Sequence, residues 1–152
     1  MKNPQTLAEK IYVTFPSAKM KSIKDYACCA FTFMWCMGYE PDDIEAIITV
    51  GRMLDKGIID CDCCVYWNKV SLFLTGRGCD IEKKNISTLK GIKERTPVRY
   101  EYTDKNGKKH SHWIGAENGR IKFNSLEVSQ CVLQGHPVEM RKLIFSSEVK
   151  NG

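Results

Sequence analysis

The first residues, Met1-Lys2-Asn3-Pro4-Gln5, lack the apolar run of a secretory signal. No apolar stretch reaches the ~20 residues that a membrane-spanning helix needs. The longest, Ala27 to Met37, covers about half of that, so the expectation is a cytoplasmic chain with no membrane partner. Basic blocks are missing too. The net charge is +5, but the Lys and Arg residues stand in ones and twos among acids, which argues against nucleic acid as a partner. Nothing resembles a phosphate-binding glycine loop, since Gly76-Arg77-Gly78 is too short and precedes no clear helix. There is no internal repeat and no low-complexity linker. At 152 residues the chain suits one domain, residues 1–152, with a substantial core. Eight cysteines would suggest disulfides in a secreted protein. Without a signal, and with three of them in one apolar segment and Cys63-Cys64 adjacent, reduced thiols are the expected state.

What is present is organised around Asp25-Tyr26-Ala27-Cys28-Cys29-Ala30-Phe31-Thr32-Phe33-Met34-Trp35-Cys36-Met37-Gly38. From Ala27 to Met37 only Thr32 is polar, and a helix apolar on every side belongs in the middle of a domain. Asp25 is placed to cap its start and Gly38 to end it. Cys28 and Cys29 then fall in the first turn, where free N–H groups and the helix dipole favour thiolate over thiol.

Leu7, Ile11 and Phe15 form a four-residue stripe, predicting a short helix over residues 5–15 that Pro16 ends. Ser17 to Lys24 reads as a polar connector. Residues 41–57 predict a second long helix, with acids in its first turn, Lys56 in its last, and Ile44, Ile47, Ile48 and Gly51 on one face. Trp67 to Leu74 predicts a third, ended by Gly76. Strand signals follow: a short strand at 78–82, a helix or turn at 86–95, then alternating Val98 to Thr103. Asn106-Gly107 marks a hairpin that leads into Lys109 to Ala116. Glu117-Asn118-Gly119 turns the chain into Arg120 to Asn124, and Val138 to Phe145 closes it. Helices first and an antiparallel meander second define an α+β domain.

Cys28, His112 and Asn124 form the first chemical constellation. Nucleophilic catalysis by cysteine needs a thiolate, an imidazole to take and return the proton, and a group that fixes the imidazole's tautomer. A strand carrying His112 and a neighbouring strand ending at Asn124 would set the last two side by side. Cys29 competes with Cys28, because ~100° of helical rotation lets only one face a cleft. His110 and His112 share a strand face. His110 lies nearer the hairpin tip, which favours His112. Asn124 before Ser125 also suits a turn, and His136 in Gly135-His136-Pro137 reads as a loop residue. The second constellation is Cys61-x-Cys63-Cys64 with Cys79 and with Asp60 or Asp62, thiolates that could hold zinc. Only one Cys-x-x-Cys hook, Cys61 to Cys64, is present.

The element order and three short motifs resemble the papain-like cysteine peptidases in their small bacterial and phage forms. Tyr26-Ala27-Cys28 resembles the aromatic-small-Cys approach to the catalytic helix, His112-Trp113-Ile114-Gly115 the His-aromatic-aliphatic strand, and Phe123-Asn124-Ser125 the strand end that presents the third member. The resemblance spans roughly residues 20–145. It implies a cysteine hydrolase, a peptidase or amidase acting on a peptide or isopeptide bond of a peptide or protein substrate, with no cofactor and no metal. Cys28 would be nucleophile, His112 general base and acid, and Asn124 the orienting group, with the Cys28 N–H as half of an oxyanion hole. The family's upstream glutamine is missing from residues 19–25, leaving Ser22 or a lysine as the other donor. Two alternatives follow: a catalytically inactive binding module on the same fold, and a zinc-stabilised interaction domain.

Overall fold

The apolar run becomes a helix, α3 (Cys28–Cys36), with six consecutive residues, Ala30 to Trp35, buried. A helix that gives up water on all sides contributes about 1.5–3 kcal/mol for each large side chain it buries, which makes α3 the centre of the packing. Its C-terminus closes in a Schellman arrangement: Tyr39 N–H donates to Met34 C=O and Gly38 N–H to Trp35 C=O, 3.0 Å each. Gly38 has φ +76°, a backbone conformation that glycine adopts without strain. The Arg95 guanidinium lies over the Trp35 ring, 4.3 Å from its centroid, and donates to Trp35 C=O at 2.8 Å, placing a cation at the negative end of the helix dipole.

The start of α3 differs from expectation. Asp25 does not cap it. An extra helix, α2 (Ala18–Tyr26), occupies the stretch read as a connector, and Asp25 sits in its last turn, ion-paired to Lys21 and Lys24 at 2.6 Å each. Ser17 is the cap that was overlooked, its hydroxyl accepting from Met20 N–H at 3.0 Å. Only Ala27 separates α2 from α3, and no side chain caps the second helix.

The structure, a computed structural model, describes residues 1–63 and 65–149. Among them the chain forms α1 (Pro4–Thr14), α2, α3, α4 (Asp43–Asp55), α5 (Trp67–Thr75), β1 (Arg77–Asn85), β2 (Thr96–Thr103), β3 (Lys109–Glu117), β4 (Arg120–Phe123), α6 (Gln130–Gln134) and β5 (His136–Val149). The fold is mixed α+β, with a five-stranded antiparallel sheet ordered β1-β5-β2-β3-β4. The meander is real for β2, β3 and β4, but β5 enters between β1 and β2 rather than extending the series. His136 is the first residue of that strand and pairs with Glu101, so it is no loop residue. Residues 86–95 take the turn alternative of the expected helix or turn, and α6 lies where none was expected.

Two apolar clusters flank the sheet. One gathers α3, α4 and Phe123, with Leu143 and Phe145 packed against it; the other gathers Val98, Tyr100, Ile114, Ala116 and Cys131. Successive residues of β3 alternate between them, as strand geometry requires. Ile44 and Ile48 fall on the solvent side of α4, 58% and 48% exposed, because the helix turns Ala46, Ile47, Val50 and Met53 inward instead. Phe15 is likewise exposed, at 73%, and Gln5 and Ala8 take the buried face of α1.

Candidate active site

β4 covers β3 only from Gly115 to Glu117. The rest of β3 has an open edge, and the N-terminal half of α3 runs along it. Trp113 turns a peptide group toward that helix: its C=O accepts from the Thr32 hydroxyl at 3.3 Å. Cys28 and Thr32 are four residues apart, hence on one helical face. The single polar residue of the apolar helix therefore anchors that face beside β3.

Two clefts meet at Cys28. The first, about 390 Å³, has aromatic walls from Trp67 and Trp113 and also reaches Cys29 and Arg141. The second, about 440 Å³, contains His110, His112 and Cys131. Cys28, half-buried, lines both, whereas Cys29 lines only the first. Cys28 is thus the thiol that shares a cleft with the imidazoles.

His112 is buried, and its Nε2 lies 2.7 Å from Asn124 Oδ1. The same Oδ1 accepts Leu126 N–H at 3.0 Å. A backbone N–H can only donate, so the atom is the amide oxygen and His112 Nε2 must carry the proton of the neutral ring. Nδ1 is then the free base. Burial holds the His112 pKa below its usual 6.5, with the Asn124 hydrogen bond partly opposing the shift. His110 is committed elsewhere: its Nε2 meets Asp104 Oδ2 at 2.9 Å, and its ring stacks on Tyr102 with centroids 5.2 Å apart.

The thiol's acidity runs against the helix-start argument. Burial pushes the Cys28 pKa up, and backbone hydrogen bonds from Trp113, Cys29 and Cys28 itself only partly counter it. A neighbouring Cys131 thiolate would raise it further. The helix-start N–H groups act in the expected direction, but desolvation outweighs them. Both shifts favour the neutral thiol and the neutral imidazole over the ion pair.

Gln5 is the residue that sequence reasoning missed. It lines the cleft with Cys28 and His112, and it is 4% exposed. Its Nε2 donates to Lys24 C=O at 2.7 Å, and its Oε1 accepts from the Ser125 hydroxyl at 2.8 Å. Around it, Gln5 N–H donates to Ser125 C=O at 2.9 Å and Asn3 Nδ2 to Asn124 C=O at 3.0 Å. One amide thus ties the helix leading to Cys28 to the segment carrying Asn124. Gln5→Ala strands the fully buried Ser125 hydroxyl, so it should cost about 1–3 kcal/mol in urea unfolding. An unchanged midpoint would contradict the clasp. No sequence signal marked it, since Gln5 lies off the predicted Leu7-Ile11-Phe15 stripe.

The lysines expected as donors in place of a glutamine are engaged elsewhere: Lys19 is ion-paired with Asp55, and Lys21 and Lys24 with Asp25. The Ser22 carbonyl accepts from the Cys63 thiol at 3.6 Å. Among the described residues no three His, Cys, Asp or Glu side chains are grouped to hold an ion. Cys63 is buried, and Cys79 lies within β1. Cys64 lies outside the described residues. No helix among the described residues is long and apolar enough to cross a membrane. No family model, curated protein or solved structure matches the chain.

Proposed function

We propose that the chain is a papain-like cysteine hydrolase that cleaves a peptide or isopeptide bond of a peptide or protein substrate through a Cys28 thioester. The observation that carries this reading is the Asn124-His112 pair, which fixes the tautomer with Nδ1 free, in the cleft that also holds Cys28 at the start of a buried helix. As Cys28 Sγ attacks the substrate carbonyl, its proton passes to His112 Nδ1. The C–N bond then breaks, and the imidazolium returns that proton to the departing amine. Water, deprotonated by the same imidazole, hydrolyses the thioester and restores the thiol. The Cys28 N–H at the helix start supplies one oxyanion donor. Asn124 orients His112 and favours its cationic form during the transfer.

His112→Ala should slow alkylation of Cys28 by iodoacetamide about tenfold or more at neutral pH, with His110→Gln within about twofold of the parent. Equal rates in the parent and His112→Ala would remove the base from the mechanism. For turnover, a depressed imidazole pKa means that the base stays deprotonated to lower pH. The acid limb of kcat/KM should accordingly lie below pH 6.5. A limb above that value would contradict the assignment. The raised Cys28 pKa and the glutamine missing upstream favour a second reading, a binding module on the same fold. Slow alkylation indifferent to His112 would select it.

A further inference from the structure

The first cleft contains a charge arrangement that the proposed reaction does not use. β5 places Arg141 on the cleft wall, its guanidinium over the Trp113 ring at 5.4 Å from the centroid. Arg141 Nη1 donates to Glu139, which also pairs with Arg99 and, at 3.3 Å, with Lys83. Arg99 reaches Glu101 at 3.0 Å, and Lys109 approaches the same carboxylate at 3.7 Å. Four cations therefore share two carboxylates on this side of the sheet. Glu139 is held ionised, its pKa down at about 2; burial opposes this, but hydrogen bonds from Arg99 and Arg141 prevail.

The other charges facing the cleft do not cancel the surplus. Asp25 is neutralised by Lys21 and Lys24, and Asp62 is exposed. Glu139 takes Nη1 of Arg141, and the buried Nε–H has no hydrogen-bond partner among the described residues. Stacking on an aromatic ring holds a guanidinium's donor edge fixed, which suits planar, two-pronged recognition of a carboxylate.

We propose that Arg141 binds a carboxylate of the substrate, so that the enzyme selects amides whose acyl or amine part carries an acidic group into the Trp67-Trp113 cleft. This rests on Cys28, which lines the same cleft, being the nucleophile. The carboxylate belongs either to an acidic side chain or to a free chain terminus, and the test separates them.

In the parent protein, iodoacetate and iodoacetamide are compared as alkylating agents of Cys28, each releasing iodide as the sulfur–carbon bond forms. Relative to a small free thiol, iodoacetate should be favoured about tenfold at Cys28, and Arg141→Met should erase the preference while leaving the iodoacetamide rate within about twofold. Arg141→Lys should keep part of it. Glu139 retains Arg99 and Lys83 in both variants, so the fold is supported. A ratio unaffected by Arg141→Met overturns the proposal. Independently of reactivity, Cys28→Ala protein is titrated with N-acetyl-Ala-Glu-amide, N-acetyl-Ala-Ala with a free carboxylate, and N-acetyl-Ala-Gln-amide, followed by the indole N–H signals of Trp67 and Trp113. At least one acid should bind about tenfold tighter than the glutamine peptide, the better one identifying the source, and Arg141→Met should abolish the difference. Equal binding of all three defeats the carboxylate site. Discrimination in this titration with a Cys28 that neither reagent alkylates would instead defeat the catalytic reading and leave the carboxylate site standing.

Discussion

Cys28→Ala is expected to abolish hydrolysis, with kcat/KM falling by about 10⁴-fold or more, because the variant lacks the atom that forms the thioester. Cys29→Ala should stay within about twofold. The two cysteines are adjacent in the same helical turn, but only Cys28 borders the cleft that holds His112. Methyl for thiomethyl at a half-buried site changes little else, so loss of activity with an unaltered melting temperature would report chemistry rather than folding. Retained turnover in Cys28→Ala, or its loss in Cys29→Ala alone, would move the nucleophile and dismantle the proposed site.

Gly115→Ala is expected to destabilise the fold. A Cβ at Gly115 would stand 2.4 and 2.6 Å from two ring carbons of Trp35 and 3.2 Å from Phe123 Cβ. The indole has little room to retreat: it stacks on Phe123 with centroids 5.9 Å apart, and Arg95 lies over it. Overpacking of this kind costs about 1–3 kcal/mol or more, which lowers the melting temperature of a domain this size by about 2–12 °C. Because Gly115 is three residues from His112 and Trp35 belongs to the helix that starts at Cys28, the strain falls between the two halves of the proposed pair. Trp35→Leu in the same chain should recover part of the loss by making space. If Gly115→Ala melts like the parent, α3 does not approach β3 as closely as described.

Much of this arrangement was legible because it depends on local pattern. The apolar run, broken only by Thr32, gave α3, Gly38 and Gly76 gave helix ends, and the Asn-Gly turns gave the β2-β3-β4 hairpins, with His112 on β3 and Asn124 just past the end of β4. What was not legible depended on partners distant in sequence. Residues 18–26 look like a connector because their helix buries little apolar surface beyond Ile23. The insertion of β5 between β1 and β2 is a choice of pairing that strand periodicity does not encode. Gln5 reads as a solvent-facing residue until Ser125 and Lys24 are brought to it. The acidity of Cys28 was misjudged for the same reason: the helix start is visible in sequence, whereas the desolvation that outweighs it comes from the packing around it.

The measurement closest to the centre of this account is the mass of the protein during reaction with p-nitrophenyl acetate, resolved to the residue by peptide mapping after acid quench. The proposed chemistry predicts one acetyl group, bound to Cys28 as a thioester, removed by hydroxylamine, and lost to water more slowly when His112 is alanine. Acetyl on Cys29 or Cys131 instead, or none on any cysteine, would contradict it.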